Sequence, residues 1–309
     1  MSDFLLSIII PVYNEKDNVV PLVERLLAAV ARFDYEVIFI DDGSTDQTVE
    51  TIKQLATKNP RIKLVVFQRN FGHQMALSAG YQRAKGACVI SLDADLQDPP
   101  EIIGAMVKKW QGGAKIVYAQ RKKRDGDTWF KKMTAQGFYR FINFLSDTNI
   151  PADVGDYRLL DRSVVDFLNH LPERTRFLRG LVSWGGFPAA YVYFDREKRF
   201  AGATHYPFSK MLNFALEGIT SFSTKPLRLA SYLGFITGTI GFLGMLYAIL
   251  GRILLPRYWV TGWAALFVGI MFLGGVQLIT IGIIGEYVGK IYKEVQKKPQ
   301  FLIKETVNL

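Results

Sequence analysis

The sequence of 309 residues has few of the side chains that build disulfide or zinc scaffolds. It contains one cysteine, Cys88, and three histidines that show no metal-ligand spacing. A disulfide framework and a cysteine-based zinc site are therefore excluded. We place Cys88 in the core and assign no role to His73, His170 or His205.

Two phosphate-binding signatures are also missing. No Gly-x-Gly-x-x-Gly follows the first predicted strand, and no Gly-x-x-x-x-Gly-Lys-Ser/Thr occurs anywhere in the chain. The main signatures of dinucleotide oxidoreductases and P-loop ATPases are thus absent. Aromatic residues make up 13% of the chain and hydrophobic residues 49%, which excludes intrinsic disorder.

Acidic residues are outnumbered, 28 against 38 basic ones, which gives a net charge of +10. The mean hydropathy is nevertheless positive, at +0.12. Residues 229–251 and 258–285 contain no Asp, Glu, Lys or Arg. Each stretch exceeds the roughly 20 residues that cross a bilayer core, so they predict a transmembrane hairpin. The alternative is a helical pair buried in a soluble protein.

The basic residues around the two spans predict an orientation. Seven lie outside the hairpin and two in its loop. They are Lys225, Arg228, Lys290, Lys293, Lys297, Lys298 and Lys304 outside, and Arg252 and Arg257 in the loop. By the positive-inside rule, both termini and the catalytic domain lie in the cytoplasm, at the inner (plasma) membrane.

The predicted domains follow from this hairpin. Residues 1–205 form the catalytic domain, 206–227 an amphipathic juxtamembrane helix, 228–289 the two-helix hairpin and 290–309 a basic cytosolic tail. Small-xxx-small spacings occur at Gly234 and Gly238 and at Gly285 and Gly289. They predict close helix packing, either within the hairpin or between protomers of a homo-oligomer.

Residues 5–120 alternate short β-rich runs with helical stretches, which predicts an α/β fold with a mostly parallel sheet and helices on both faces. Ligands of such sheets bind outside the carboxyl ends of the strands. Three polar clusters follow predicted strands here, at residues 11–15, 41–44 and 93–98.

The third cluster predicts a metal site. Asp93 and Asp95 follow a buried strand, where two carboxylates repel each other unless a cation or strong donors offset their charge. Oxygen ligands without His or Cys favour a hard ion, Mg²⁺ or Mn²⁺, which usually bridges to substrate phosphates. The alternative is a solvated acidic loop.

The chain resembles a known family over about residues 5–200. The segments that carry the resemblance are PVYNE at 11–15, DDGS at 41–44, RNFG at 69–72, DADLQDPP at 93–100 and GDYRLLDR at 155–162. They are similar to the family 2 glycosyltransferases. The closer similarity is to the polyisoprenyl-phosphate group, which includes dolichol-phosphate mannose synthases and GtrB-type bactoprenol glucosyltransferases.

The resemblance implies a GT-A fold (Rossmann-like) and inverting transfer of a sugar from a nucleotide donor to a lipid phosphate. It implies a nucleotide site formed by Pro11, Tyr13, Glu15, Asp41, Asp42 and Asp93, and metal ligands Asp93, Asp95 and Gln97. Arg121 and Arg124 match basic residues near the donor diphosphate and acceptor phosphate. Asp156 falls where many family members place a base-like carboxylate, so the expected catalytic residues are Asp95, Asp156, Arg121 and Arg124.

A phosphate acceptor changes the role expected of Asp156. Such an acceptor has a second pKa near 6 and already carries a nucleophilic oxygen at neutral pH, whereas a hydroxyl acceptor needs a general base. We therefore expect Asp156 to orient groups. Residues 121–140 carry seven basic and two acidic side chains, a composition suited to bringing two phosphates together. Arg124, Lys131 and Lys132 are the candidates for the acceptor phosphate.

The same basic segment has another interpretation, attraction to anionic lipid headgroups, which is compatible with the first. A nucleic-acid partner is not expected, because no nucleic-acid-binding fold accompanies the charge. The leading hypothesis is therefore transfer of glucose from UDP-glucose to undecaprenyl phosphate.

The alternatives are the same chemistry with GDP-mannose, a UDP-N-acetylhexosamine or a UDP-aminoarabinose derivative, and a non-catalytic membrane-tethered nucleotide-sugar-binding subunit. A processive polysaccharide synthase is disfavoured, since Gln-x-x-Arg-Trp and additional spans are lacking.

Overall fold

The fold was obtained as a computed structural model that describes residues 4–122, 154–174, 176–195, 223–254 and 262–309. The strands are β1 (Leu5–Val12), β2 (Asp34–Asp41), β3 (Ile62–Phe67), β4 (Cys88–Ser91), β5 (Ile116–Arg121), β6 (Val154–Asp161), β7 (Ala189–Phe194) and β8 (Ile303–Val307). The helices are α1 (Lys16–Val30), α2 (Thr48–Lys58), α3 (His73–Arg83), α4 (Ile103–Gln111), α5 (Arg162–His170), α6 (Leu178–Trp184), α7 (Lys225–Leu254) and α8 (Trp263–Val295), and a 3₁₀ turn at Pro100–Ile102 precedes α4.

The described strands form one eight-stranded sheet in the order β7-β5-β6-β4-β1-β2-β3-β8. The central pairs β4/β1, β1/β2 and β2/β3 are parallel, as is β5/β7. Strand β6 runs antiparallel to both of its neighbours, and β8 runs antiparallel to β3. The predicted mostly parallel sheet is confirmed.

Helices cover both faces because successive apolar residues of the central strands point to opposite sides. Ile8 and Ile10 of β1 belong to the core cluster that contains Leu22 of α1, whereas Ile9 belongs to the cluster that contains Leu77 of α3. All of these side chains are fully buried. The α/β architecture of the GT-A type is confirmed, with a core on each side of the sheet.

Strand β1 contains a proline at the point where it leaves the sheet. The carbonyl of Ile9 accepts the amide of Leu92 on the β4 side, while that of Val12 accepts the amide of Asp42 on the β2 side. Pro11 therefore faces the β4 side, two residues beyond the last β1/β4 pair, Ile9 with Ser91. Its missing N–H costs no ladder hydrogen bond there.

Helices α7 and α8 differ from the other helices in their exposure. Segments Lys225–Tyr247 and Leu266–Val295 are long and apolar enough to cross a membrane. Only 6% of the residues in the most apolar stretch of the first segment are buried, and 0% in that of the second. Phe235 is 78% exposed and Leu278 is 72% exposed. A helical pair buried in a soluble domain would hide such side chains, so this alternative is wrong for the described structure.

The small-residue spacing in these helices does not serve hairpin packing. At each of the four glycines, an added Cβ would meet no described atom within 4 Å beyond the helix's own neighbouring backbone. They are Gly234, Gly238, Gly285 and Gly289. The prediction that they bring the two spans together is wrong, and contact between protomers stays a prediction.

The last residues of the chain, predicted as a tail, include a strand of the sheet. Helix α8 continues to Val295, and Ile303–Val307 pairs with β3 as the edge strand β8. The predicted juxtamembrane helix lies almost wholly outside the described residues. Arg124, Lys131 and Lys132 lie outside them too.

Candidate active site

The three polar clusters predicted from the sequence meet at one edge of the sheet. Parallel strands β1, β2 and β4 end at Val12, Asp41 and Ser91, and their carboxyl ends lie side by side. Hydrogen bonds tie the first two clusters together. Asn14 is central, because its amide donates to Ser44 Oγ at 2.9 Å and its Oδ1 accepts the amide of Thr45 at 2.8 Å.

Two residues of these loops have left-handed backbone conformations that non-glycine residues rarely adopt. Asn14 has φ of 54°, and Leu96 in the 93–98 cluster has φ of 58°. Such conformations are costly and are concentrated at functional sites. Leu96 is buried, so packing holds this loop in its unusual shape.

The turn after β2 allows the loops after β2 and β3 to touch. Gly43 has φ of +77°, and a Cβ there would lie 2.6 Å from the carbonyl carbon of Arg69. Asp41 Oδ1 accepts the amides of Gly43 and Ser44 at 3.1 and 3.0 Å. Its Oδ2 is buried without a hydrogen-bond partner among the described residues, and burial raises the pKa of this carboxyl group.

Asp42 was predicted to bind the nucleotide, but its carboxylate is bonded to the protein backbone. Its carboxylate accepts the amides of Phe71 at 2.6 Å and Gly72 at 2.9 Å, and its side chain is buried. Burial raises the pKa of Asp42, although the two amides oppose that change. Asp42 therefore holds the start of α3 in place beside the site.

The predicted nucleotide residues of the first loop differ in exposure. Pro11 is buried at the end of β1, and Glu15 accepts a hydrogen bond from Asn18 Nδ2. Tyr13 is 46% exposed and lines a cleft of about 600 Å³. Gly43 and Arg69 line the same cleft.

The 93–98 loop contains the three predicted metal ligands. Asp93, Asp95 and Gln97 are half-buried, and the residues between them, Ala94 and Leu96, are buried. Asp95 Oδ1 accepts the amide of Gln97 at 3.1 Å, which fixes the turn. The loop therefore contains partly accessible carboxylate and amide oxygens at the carboxyl end of β4.

The charges around Asp93 fit a cation. Burial raises the pKa of Asp93, and the carboxylates of Asp156 and Asp95 raise it further, while His73 opposes them. In the described part of the chain, no three His, Cys, Asp or Glu side chains form a metal-binding group. An ion held by Asp93, Asp95 and Gln97 would thus need oxygens from a bound phosphate to complete its shell.

Asp156 of β6 is buried beside two arginines and a histidine. Arg179 Nη2 donates to its Oδ2 at 2.8 Å and Arg179 Nε to its Oδ1 at 3.2 Å. His73 Nε2 lies 3.3 Å from Oδ2, and Arg158 Nη2 lies 3.5 Å from Oδ1. Burial alone would raise the pKa of Asp156, but Arg179, His73 and Arg158 hold it well below its usual value. Such a carboxylate is a weak base.

His73 and Arg179 were missed by the sequence analysis. His73 is the first residue of α3 and lies 3.7 Å from Asp93 as well as 3.3 Å from Asp156. Burial lowers the pKa of His73, but its hydrogen bond to Asp156 and the charge of Asp93 raise it overall. Its position directly after the RNFG segment was the available signal for this residue. Nothing in the local sequence marked Arg179, which lies in α6.

Arg121 is placed near the same loop. It is the last residue of β5, and its Nη2 lies 3.9 Å from Oδ1 of the buried Asp98. Its side chain is 34% exposed, so the guanidinium is both anchored and accessible. Arg121 is therefore a residue of the predicted basic segment that lies at this edge of the sheet.

Comparison with known proteins identifies the class of this fold and site. Residues 7–168 match the family described as Glycosyl transferase family 2. The chain therefore belongs to glycosyltransferase family 2, and it is an enzyme of that class.

Individual relatives narrow the resemblance. The uncharacterized glycosyltransferase sll0501 of Synechocystis sp. is 47% identical over 302 residues, which cover 97% of this chain and 95% of that protein. The bactoprenol glucosyl transferase of Shigella phage SfII is 42% identical over 303 residues, covering 97% and 98%. The resemblance to bactoprenol glucosyl transferases is thus confirmed over nearly the whole chain.

A solved structure is similar at a greater distance. It is glucosyl-3-phosphoglycerate synthase from Mycobacterium tuberculosis in complex with Mn²⁺, uridine diphosphate and glucosyl-3-phosphoglycerate. The TM-score is 0.47 and the identity 17%, over 71% of this chain and 78% of that one.

Proposed function

We propose that this protein transfers glucose from UDP-glucose to a polyprenyl phosphate, undecaprenyl phosphate, with inversion at the anomeric carbon. The reaction takes place at the cytosolic face of the plasma membrane, with α7 and α8 as the anchor. Relatives named bactoprenol glucosyl transferase support the sugar and the lipid acceptor. The two long exposed apolar helices support the membrane location.

The surroundings of Asp156 are the observation that carries the acceptor class. A hydroxyl acceptor requires a base that takes up its proton, and a carboxylate whose pKa lies well below its usual value does this poorly. A phosphate acceptor needs no base because it is already an anion at neutral pH. The acceptor oxygen can form its bond to the anomeric carbon while the bond to the donor diphosphate breaks, and no proton has to move.

The residues of the site supply charge and position for this reaction. Asp93, Asp95 and Gln97 would hold a divalent cation, Mg²⁺ or Mn²⁺, which neutralises the diphosphate leaving group when it is bound. Arg121, which is 34% exposed at the end of β5, would donate to a phosphate oxygen. Asp156 pairs with Arg179 and with His73, and His73 lies 3.7 Å from Asp93, one of the proposed metal ligands.

The experiment uses membranes that contain the full chain, with radiolabelled UDP-glucose, undecaprenyl phosphate and Mg²⁺ or Mn²⁺. We expect label in the organic extract, and we expect none after chelation by EDTA. Separate reactions contain GDP-mannose, UDP-N-acetylglucosamine or a UDP-aminoarabinose derivative. Lipid-linked label from one of these donors alone would replace glucose by that sugar, and no label from any donor would refute the function.

A matched pair of variants separates the site from general damage. Asp95→Asn removes one carboxylate of the proposed metal site, and we expect it to abolish transfer. Asp17→Asn makes the same chemical change at an exposed position in the first turn of α1 and should leave transfer unchanged.

A further inference from the structure

The C-terminal segment 294–308 is bonded to the catalytic domain along its whole length. Both carboxylate oxygens of Glu294 accept the amide of Arg174, at 3.1 and 2.9 Å. The Arg174 guanidinium then donates to the carbonyl of Lys298 at 3.0 Å. Phe301 stacks on Phe67 at 5.0 Å between ring centroids, so the segment follows the domain surface toward the edge of the sheet.

The end of the segment is bonded to β3 and to α2. Strand β8 pairs with β3, and Lys53 Nζ lies 2.7 Å from Glu305 Oε2. Asn308 Nδ2 donates to the carbonyls of Ala56 and Ile62, each at 3.0 Å. These contacts hold β8 in a fixed position at the edge of the sheet.

Strand β8 borders the cleft that contains Tyr13. Lys304 and Glu305 line this cleft together with Tyr13, Gly43 and Arg69, which belong to the loops after β1, β2 and β3. Those loops form the carboxyl edge of the sheet, where nucleotides bind in this architecture. A segment that follows the membrane helices in sequence therefore reaches the donor side of the site.

Lys304 occupies a special position in β8. Val66 pairs with Glu305 and Phe67 pairs with Ile303, so Lys304 is the extra residue of a β-bulge. Bulges re-aim a side chain and are over-represented next to active sites. Lys304 makes no ion pair with any described residue, whereas the neighbouring Glu305 is paired with Lys53.

The charged side chains that line the cleft balance in number, with Asp46, Glu50 and Glu305 against Lys53, Arg69 and Lys304. Asp46 accepts hydrogen bonds from Thr48, at 3.0 Å to the amide. Glu50 has no side-chain hydrogen bond or ion pair with the described residues, and neither Arg69 nor Lys304 is paired with a carboxylate there. Lys304 and Arg69 are therefore the lining cations that are not paired with a described carboxylate.

The order of the strands decides which part of a donor nucleotide meets Lys304. The proposed metal carboxylates follow β4, and β8 is four strands away from it across β1, β2 and β3. At about 4.8 Å per strand, this separation is roughly 19 Å. A diphosphate at the metal site leaves the nucleoside as the part directed toward β8.

We propose that the β8 bulge forms one wall of the donor cleft and that Lys304 donates a hydrogen bond to the nucleoside of the bound donor. This inference rests on the proposed function, because it needs a uridine nucleotide in the cleft. Through β8, the end of the membrane anchor becomes part of the donor site.

The test is calorimetric titration of the detergent-solubilised full chain with UDP and with UMP, in the presence of Mn²⁺. We expect Lys304→Ala to weaken the binding of both nucleotides by about tenfold, the lower end of the range for a hydrogen bond to a charged group. Lys304→Arg should stay within about twofold of the wild type. The matched control is Lys298→Ala, an exposed lysine of the same segment that does not line the cleft.

Each outcome decides between the two proposals. If the wild type binds UDP and Lys304→Ala binds both nucleotides as tightly as the wild type does, the assignment of β8 as a wall of the donor cleft is wrong. A loss for UDP without a loss for UMP places Lys304 at the diphosphate and overturns its contact with the nucleoside. A wild type that binds neither nucleotide refutes the proposed function itself. Lys304→Ala should keep the wild-type melting temperature, because the β8 pairing is made by the backbone.

Discussion

The replacement Asp156→Asn tests whether this carboxylate acts through its charge or through uptake of a proton. Asparagine keeps the shape and one acceptor oxygen of the side chain but removes the negative charge. Arg158, with a side chain 1% exposed, then loses its only ion-pair partner among the described residues. The side chains of Arg179 and His73 are 32% and 34% exposed, so hydration can replace part of the interaction that they lose.

The expected loss of stability follows from these exposures. Removing one partner of a buried ion pair costs about 3–5 kcal/mol, because the other charge stays buried without compensation. The remaining amide oxygen and the exposure of two partners favour the lower value, about 3 kcal/mol. For a domain of this size, that corresponds to a decrease in melting temperature of roughly 6–12 °C.

The same replacement predicts a dependence on pH. The pKa of Asp156 is depressed in the folded protein, so its charge stabilises the fold above the unfolded pKa of about 3.9. This contribution is lost as the pH falls through the folded value. The difference in melting temperature between wild type and Asp156→Asn should be full at pH 7 and should narrow below about pH 4.

The assay combines thermal unfolding of the solubilised protein with transfer measured below the melting temperature of the variant. Loss of a general base costs about 10²–10⁴-fold in rate. We expect less than about tenfold for Asp156→Asn, whereas Asp95→Asn should be inactive. Equal and complete loss of transfer in the two folded variants would refute the positioning role. Asp166→Asn is the control, since that carboxylate is 51% exposed and its partner Arg162 lies one helical turn away.

Three further predictions concern the metal, the turn after β2 and the end of β6. Asp95→Asn should abolish Mn²⁺-dependent binding of UDP in calorimetry, and unchanged metal dependence would contradict the proposed ligand set. Gly43→Ala should lower both the melting temperature and the affinity for UDP, because its Cβ would lie 2.6 Å from the Arg69 backbone at φ of +77°; wild-type values for both would show that the turn relaxes. Asp161 has a pKa lowered to about 2, since hydrogen bonds from Ser163 and Trp110 outweigh its burial. Asp161→Ala should therefore lower the free energy of unfolding by about 2 kcal/mol at pH 7 and by less below about pH 4. Thermal unfolding that shows the same loss of stability at both pH values would contradict this explanation by charge.

Much of the site could be predicted because parallel strands place their carboxyl ends together. The loops after β1, β2 and β4 were recognised as separate clusters, and the sheet brings them to one edge. Asp42 shows the limit of this reasoning. A polar residue at a strand end can face a ligand or the neighbouring backbone, and its carboxylate here binds the amides of Phe71 and Gly72.

The local sequence determined most of the strands and helices, including two helices long and apolar enough to cross a membrane, since the spacing of apolar side chains and the absence of charge are local properties of the chain. Only the tertiary structure decided which distant groups meet. His73, Asp156 and Arg179 come from three elements, and their contact depends on the placement of β6 beside β4. Likewise, Lys304 reaches the cleft because β8 pairs with β3, about 240 residues earlier in the chain, a pairing that no local pattern specifies.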